Sequence, residues 1–189
     1  MPYVIILESF SANGIYMSTG HVEYASLDGT HIFKLIGEVR AQSCISLDKL
    51  LNRIEQQSNV VGAIVDLTQT IFIDSTVLGI LAKLGLKLKQ AHNIQAVMLS
   101  TNPDITTLAN SMGLGQVFVI LNYCGDPSVC TRELMEEHVT NSSMLTTVLE
   151  AHKTLMKLNE NNQNMFEPLV KQLQKEQDNL EQASHQQNA

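Results

Sequence analysis

The sequence predicts an α/β fold in which a mixed β-sheet is packed with α-helices and followed by a C-terminal helical extension. Two observations lead to this fold class. From His21 to about Leu121, strand-like and helix-like segments alternate in the order β-β-α-β-α-β-α-β, which is typical of a sheet covered by helices. After Asp126-Pro127, β-branched runs nearly disappear and Glu, Gln, Asn and Leu predominate, as in solvated helices.

The first two strands are predicted at residues 22–26 and 31–36. The four residues between them, Leu27-Asp28-Gly29-Thr30, contain an Asp-Gly pair. Asp-Gly between two strand-like runs favours a tight hairpin turn, because both residues tolerate positive φ. We therefore expect the chain to begin its sheet with a β-hairpin.

Three helix–strand units complete the predicted sheet, and their helices carry apolar residues at i, i+3/i+4 spacing. Residues 60–67 are almost continuously apolar, so we expect a central strand buried on both faces. The segments are a helix that follows Ser43 and ends near Ile54, the strand 60–67, a helix at 75–91, a strand at 94–100, a helix opened by Asn102-Pro103-Asp104 and ended by Gly113, and a strand at 117–121.

The chain divides into three predicted parts. Residues 1–16 contain an apolar run interrupted by Glu8 and have no basic segment before it, so a secretory signal is not expected. We interpret them as an N-terminal extension, consistent with a misassigned start codon. Residues 17–125 form the α/β domain, long enough to bury its own core. Residues 126–189 form an acidic helical tail with five basic and ten acidic residues.

The tail is predicted to be helical over 128–184, with apolar residues at helical spacing. His152 and Asn159 interrupt the heptad pattern, so an uninterrupted coiled coil is not expected. Pro168 fits best in the first turn of a helix, which favours a hairpin with a turn at 159–164 over one broken helix. Three packing partners are open to the tail: the α/β domain, its own other helix or a second copy of the chain. The predicted contact residues are Leu145, Leu149, Met156, Phe166, Val170 and Leu173.

Composition argues against several function classes. Lys+Arg 12 against Asp+Glu 19 gives a net charge of −7, the wrong sign for direct nucleic-acid binding through phosphates. No run of eighteen apolar residues is present to span a membrane. Cys44, Cys124 and Cys130 show no CxxC spacing, so neither a disulfide framework nor a zinc site is expected, and a cytoplasmic location fits. No metal or other cofactor is expected.

The candidate functional site is Asp74-Ser75-Thr76, at the predicted start of the second helix. One interpretation is N-capping, because these side chains can bind the free N–H groups of the first turn. The other is phosphorylation of Ser75. A phosphate there would meet free N–H groups and the positive end of a helix dipole, and would add about −1.5 to −2 charge beside Asp74. Such a change would suit a binding switch.

The segment Ile73-Asp74-Ser75-Thr76-x-Leu78-Gly79, after an apolar strand that ends in Asp66-Leu67-Thr68, resembles the signature of STAS-domain anti-sigma-factor antagonists. The wider layout is also similar, with Gly37-Glu38-Val39 after the second strand and Leu114-Gly115 before the last one. The resemblance extends over about residues 20–121 and leaves the tail unexplained.

This resemblance implies that Ser75 is phosphorylated by a partner serine kinase that is itself the anti-sigma factor. It further implies that the unphosphorylated protein binds this kinase and frees the sigma factor, and that a PP2C-type phosphatase reverses the modification. Asp74 resembles the acidic residue beside the family's serine, and Thr76 the neighbouring hydroxyl. Two residues depart from the pattern: Val77 stands where the family usually has Gly, and Arg40 where it commonly has an acidic residue. We expect Val77 to narrow the choice of kinase.

Other candidates are less specific. Lys83 and Lys87, four residues apart on the second helix, form either a solvated face or the basic edge of a partner surface. The six histidines are scattered, and we interpret them as surface or helix-face residues. No GxSxG elbow, Gly-rich phosphate loop or HExxH motif occurs, so an enzyme is not expected. The alternatives to a switch are a non-switching STAS scaffold or transport-accessory domain, and a hydrolase with Ser75 as nucleophile.

Overall fold

A computed structural model describes residues 20–54, 56–57, 59–123, 130–135 and 140–187, without the side chains of residues 44 and 184–187. The predicted extension 1–16 lies outside them. The described strands form one mixed sheet that is packed with helices, which confirms the α/β fold class. The elements are β1 (His21–Leu27), β2 (Thr30–Val39), α1 (Ile45–Ile54), β3 (Gly62–Ile73), α2 (Ser75–His92), β4 (Ala96–Leu99), α3 (Pro103–Ser111), β5 (Phe118–Leu121), β6 (Arg132–Glu133), α4 (Asn141–Met156) and α5 (Glu160–Gln187), with 3₁₀ turns at Ala41–Cys44 and Leu114–Gln116.

The turn between β1 and β2 follows from the Asp-Gly pair. Asp28 and Gly29 have φ values of 48° and 81°, the left-handed conformation that a two-residue hairpin turn needs at both positions. β1 pairs antiparallel with β2 along its whole length, from His21 to Leu27. The predicted hairpin is therefore confirmed.

The helices α1, α2 and α3 lie on one face of the sheet. The strand order is β5-β4-β3-β2-β1-β6, and β2 to β5 are parallel. Each connection from β2 to β5 moves to the next strand in the same direction, and right-handed crossovers of this kind place their helices on the same side. Alternate residues of β2, among them His31, Phe33 and Leu35, are accordingly buried, whereas the residues between them are half-buried.

The prediction that β3 is buried on both faces is wrong. Ala63, Val65 and Leu67 are buried, but Ile64 between them is half-buried. The physical reason is the one-sided helix layer, which covers only the face that carries the first three residues. β3 is central, as predicted, because it lies between β2 and β4. It also continues to Ile73, well beyond its predicted end.

The helix α2 is covered on two opposite sides. Seven consecutive residues, 76–82, are all buried. Successive residues of a helix point about 100° apart, so a run of this length cannot be buried by one neighbour alone. α2 contacts β3 and β4 on one side and α4 on another, and it therefore lies between the sheet and the tail.

The tail differs from the prediction in three respects. Its two helices, α4 and α5, are joined at residues 157–159, ahead of the predicted turn at 159–164. Pro168 lies inside α5 rather than in its first turn. It is tolerated there because Pro168 and Asn164 are both exposed, so water can reach the carbonyl group that loses its N–H donor. Residues 132–133 form β6, antiparallel to β1, where helix was expected.

The tail packs on the α/β domain and on itself. Ala151, Leu155, Leu158 and Phe166 belong to the same apolar cluster as the buried residues of α2 and the sheet. The predicted contact residues Leu149 and Phe166 are buried, and the others are half-buried: Leu145, Met156, Val170 and Leu173. Among the described helices, none combines the length and apolarity that a membrane crossing needs.

His31 is buried in the sheet, which differs from the predicted surface position of the histidines. Only 1% of the residue is exposed. Its Nδ1 atom lies 2.8 Å from the Tyr24 hydroxyl, and the two rings stack with centroids 6.0 Å apart. Burial lowers the pKa of His31 below its usual value of 6.5, because the charged imidazolium loses hydration.

We expect two neighbouring residues of β3 to respond differently to truncation. Val65→Ala should lower the free energy of unfolding by about 2 kcal/mol, because it leaves a cavity in the core. Ile64→Ala removes more atoms but should cost less, since this side chain lies on the face that α1–α3 do not cover. Urea denaturation of both variants measures the difference. A larger loss for Ile64→Ala would show that the second face is the better buried one.

We also expect stability to fall in mild acid because of His31. Its folded-state pKa is lowered, so the unfolded chain binds the proton more readily. The contribution of neutral His31 is complete above about pH 6.5 and is lost as the pH falls through the folded-state pKa. His31→Phe should flatten the pH dependence of the free energy of unfolding between pH 7 and 5, measured by urea denaturation at each pH. Parallel curves for wild type and His31→Phe would contradict the assignment.

Candidate functional site

Asp74 connects the start of α2 to the end of β2. It is the N-cap of α2, with an extended backbone conformation, and its Oδ1 atom accepts a hydrogen bond of 2.9 Å from the Val77 N–H. Its Oδ2 atom accepts a second bond, of 2.8 Å, from the Ala41 N–H. Because Ala41 lies just after β2, one carboxylate holds both segments together. The N-cap interpretation of Asp74 is therefore confirmed.

Ser75 is the first residue of α2 and contacts a histidine of the tail. Its Oγ atom lies 2.9 Å from Nε2 of His152. The other ring nitrogen, Nδ1, lies 2.8 Å from the carbonyl oxygen of Val148, and a carbonyl oxygen can only accept. In the neutral ring Nδ1 therefore carries the proton, and the Ser75 hydroxyl donates to Nε2.

His152 is held in place by burial and by an aromatic contact. Only 3% of the residue is exposed. The rings of His152 and Phe166 of α5 pack edge to face, with centroids 5.0 Å apart. Both helices of the tail thus contribute to the position of the ring that accepts from Ser75.

The tail helix α4 crosses α2 one turn beyond Ser75. A Cβ atom added to Gly79 would overlap the backbone carbonyl group of Ala151. Glycine at this position therefore allows the two helix backbones to come closer than any other residue would. The contact brings α4 across the N-terminal part of α2, the part that carries Ser75.

The residues that follow Ser75 point inward. Thr76 is 6% exposed and Val77 is fully buried. Val77 therefore contributes its side chain to the core and its N–H to the Asp74 cap. Its predicted influence on the choice of kinase would have to act through packing of the first turn, since no part of its side chain reaches the surface.

The exposed surface near Ser75 is formed by the end of β3 and the residue after β2. Ile71 and Phe72 are 67% and 40% exposed. The guanidinium carbon of Arg40 lies 4.5 Å from the centre of the Phe72 ring, and its Nη2 atom lies 2.9 Å from the Glu38 carboxylate. An apolar strip bordered by the Arg40–Glu38 ion pair thus lies beside the helix start.

Lys83 and Lys87 face α1, away from Ser75. The Nζ atom of Lys83 lies 2.7 Å from the Asp48 carboxylate, and both side chains are about four-fifths buried. Lys87 donates to the side chain of Asn52 over 3.2 Å. Lys83 is eight residues from Ser75, which is about 12 Å along the helix. The two lysines therefore do not form one cluster with Ser75.

His152 is the site residue that sequence analysis did not identify. It was interpreted as a helix-face residue, and its separation of 77 residues from Ser75 gives no spacing that could indicate contact. His138 lies outside the described residues. In the described part of the chain, no three His, Cys, Asp or Glu side chains are grouped as metal ligands would be.

Loss of the Asp74 carboxylate should destabilise the fold measurably. Asp74→Ala leaves two N–H groups without an acceptor, and we expect the free energy of unfolding to fall by about 1–2 kcal/mol. The side-chain oxygen of Asn102, the N-cap of α3, accepts only from the Asp104 N–H in the described contacts, so Asn102→Ala should cost less. Thermal or urea unfolding compares the two variants. An equal loss would indicate that the bond to Ala41 contributes nothing.

Comparisons with known proteins address the part of the chain that contains Ser75. The model of the STAS domain family matches residues 21–125, more than half of the chain. A comparison with curated proteins found no significant match. Among solved structures, the anti-sigma factor antagonist SpoIIAA in its unphosphorylated form is similar, with 17% sequence identity, 53% of this chain and 88% of that chain covered, and a TM-score of 0.47. On the match to the family model, the chain belongs to the STAS domain family.

Proposed function

We propose that the chain is a phosphorylation-switched anti-sigma-factor antagonist of the cytoplasm. In this proposal, the unphosphorylated protein binds an anti-sigma serine kinase and releases the sigma factor. Phosphorylation of Ser75 ends the binding, and a PP2C-type phosphatase reverses it. The observation that carries the proposal is the place of Ser75 within a STAS domain, half-exposed at the first residue of α2 and next to the capping Asp74.

The start of α2 is suited to a phosphate that leaves the N-cap of the helix intact. The helix dipole and first-turn N–H groups favour an anion there, which offsets part of the repulsion between the phosphate and Asp74. The Val77 N–H is already bound by Asp74, so the phosphate does not replace the existing cap. The added charge of about −1.5 to −2 therefore acts on whatever docks at Ser75.

The exposed residues beside Ser75 support a docking role. Ile71 and Phe72 offer apolar surface, and Arg40, which stacks on Phe72 and pairs with Glu38, adds polar groups at its border. A partner that buries this strip would also bury a phosphate on Ser75, and an unpaired buried charge costs several kcal/mol. Lys83 and Lys87 are a more distant part of the proposed partner surface, since they lie on the side of α2 that faces α1.

The net charge and the tail of the chain also bear on its partners. The net charge of −7 argues against direct nucleic-acid binding. In this proposal residues 17–125 are the signalling domain, and residues 126–189 are a tail that modifies its interactions, including self-association.

The hydrogen bond between Ser75 and His152 favours a second candidate function, that of a hydrolase. A serine that donates to a histidine is the nucleophile–base arrangement of such enzymes. However, His152 is almost fully buried beneath Phe166, so a substrate could reach the pair only if the tail moved. Ester hydrolysis that disappears in Ser75→Ala would favour this candidate over the switch.

We expect substitutions at Ser75 to separate the two binding states. In the protein's own host, Ser75→Ala should copurify with the kinase, whereas Ser75→Asp should retain at least about tenfold less, since the charge would be buried in the interface. Ser111→Asp adds the same charge at an exposed position of α3 and should bind like wild type. Equal retention of the Ala and Asp variants would contradict the switch.

Intact-mass spectrometry of the wild-type protein from that host gives the complementary measurement. A species heavier by one phosphate, mapped to Ser75, is expected. Its absence under all growth conditions would favour a non-switching STAS scaffold or transport-accessory domain.

A further inference from the structure

We propose that the helical hairpin α4–α5 is an intramolecular inhibitor of the Ser75 surface, which must leave α2 before the kinase can phosphorylate Ser75 or dock around it. This inference rests on the proposed function and adds its regulation. The hairpin would then set the fraction of molecules that are available to the partner.

The first line of evidence is that a side chain of α4 already binds the Ser75 hydroxyl group, which is the group that would be phosphorylated. The Ser75 hydroxyl donates to Nε2 of His152 over 2.9 Å, and His152 is almost fully buried. A phosphate on Ser75 removes the hydroxyl proton that this bond uses. A kinase active site also needs to surround the same oxygen. The hydrogen bond from the Ser75 hydroxyl to His152 must therefore break before Ser75 can be phosphorylated.

The second line of evidence is that α4 covers the helix surface beyond the hydroxyl. Gly79 contacts the backbone of Ala151 so closely that even a methyl group would not fit. Leu149 and Leu155 of α4 are fully buried. A partner helix that docked on this part of α2 would need the volume that α4 fills, so the two would compete for one surface.

A second attachment holds the hairpin at its turn. The side-chain nitrogen of Asn162, which is fully buried, donates to the carbonyl oxygens of Met112 and Leu155, over 2.8 and 2.9 Å. Gln116 donates to the carbonyl oxygen of Leu158 over 2.7 Å. These bonds connect the turn between α4 and α5 to the end of α3, and so fix the hairpin at a site independent of Ser75.

The connectivity allows the hairpin to leave as a unit. α4 and α5 follow every strand of the sheet in the chain, so no strand has to be withdrawn when they move. Release would expose the side of α2 that α4 covers, including Gly79. Such a surface is stable in water only if a partner covers it. We therefore expect the partner to present a helix with a small residue opposite Gly79.

The test compares full-length variants that differ in one contact of the hairpin. Gly79→Ala places a methyl group against the Ala151 backbone. His152→Phe keeps the aromatic contact with Phe166 but deletes the acceptor of the Ser75 bond. Gly62→Ala is the matched control, because its added Cβ lies 3.9 Å from its nearest neighbour, Thr30. Hydrogen–deuterium exchange of each purified protein measures release of α4, and intact-mass spectrometry of each protein from its own host measures phosphate on Ser75.

The expected result is faster amide exchange in α4 for Gly79→Ala and His152→Phe, with β2 and β3 still protected, and phosphate on Ser75 raised about fivefold or more over Gly62→Ala. If amide exchange also becomes faster in β2 and β3 of Gly79→Ala, that variant is unfolded more widely, and the test then rests on His152→Phe alone. Phosphate present but unchanged when α4 is released would overturn the inhibition and leave the proposed function standing. Unchanged protection of α4 in both variants would also overturn it. Phosphate absent from every variant would overturn the proposed function, and the inhibition with it.

Discussion

The burial of α2 between two layers is the constraint on which the rest of the molecule depends. Its residues 76–82 are all buried, so one side must meet the sheet and the opposite side must meet another element. α4 is that element, and the missing side chain of Gly79 lets the two backbones approach. Dispersion and apolar burial between closely packed helices then hold the tail on α2. The contact of His152 with Ser75 follows from this crossing.

The one-sided helix layer determines where the residues of the candidate site lie. Because the parallel strands β2 to β5 advance in one direction, α1, α2 and α3 are gathered on one face. The loops after β2 and β3 meet at the same edge of the sheet, as the carboxyl ends of adjacent parallel strands do. Asp74 makes use of this proximity when it binds the Ala41 N–H. The same edge presents Arg40 and Phe72 beside Ser75.

Elements with strong local signals could be predicted closely. The hairpin was predicted from Asp28-Gly29, whose backbone conformations are set within the dipeptide. The helix α2 was predicted at 75–91 and is found at Ser75–His92, because its apolar spacing and its N-cap are both local. The predicted strand ends too early, since Ile71 and Phe72 are exposed and the last part of β3 is held by pairing of Phe72 and Ile73 with Glu38 and Val39 of β2. Such pairing depends on two segments together and cannot be predicted from the residues of either one alone.

The sequence by itself determined the α/β class, the hairpin, the helices and the Asp74-Ser75 start of α2, because backbone preferences and side-chain periodicity act over a few residues. Tertiary structure alone decided that one face of β3 is left open and that Pro168 lies within a helix. It also decided that His152 accepts from Ser75. These features depend on which surfaces meet, and 77 residues separate the two partners of that hydrogen bond. The position of α4 on α2 is set by close packing across the fold, which no short segment encodes.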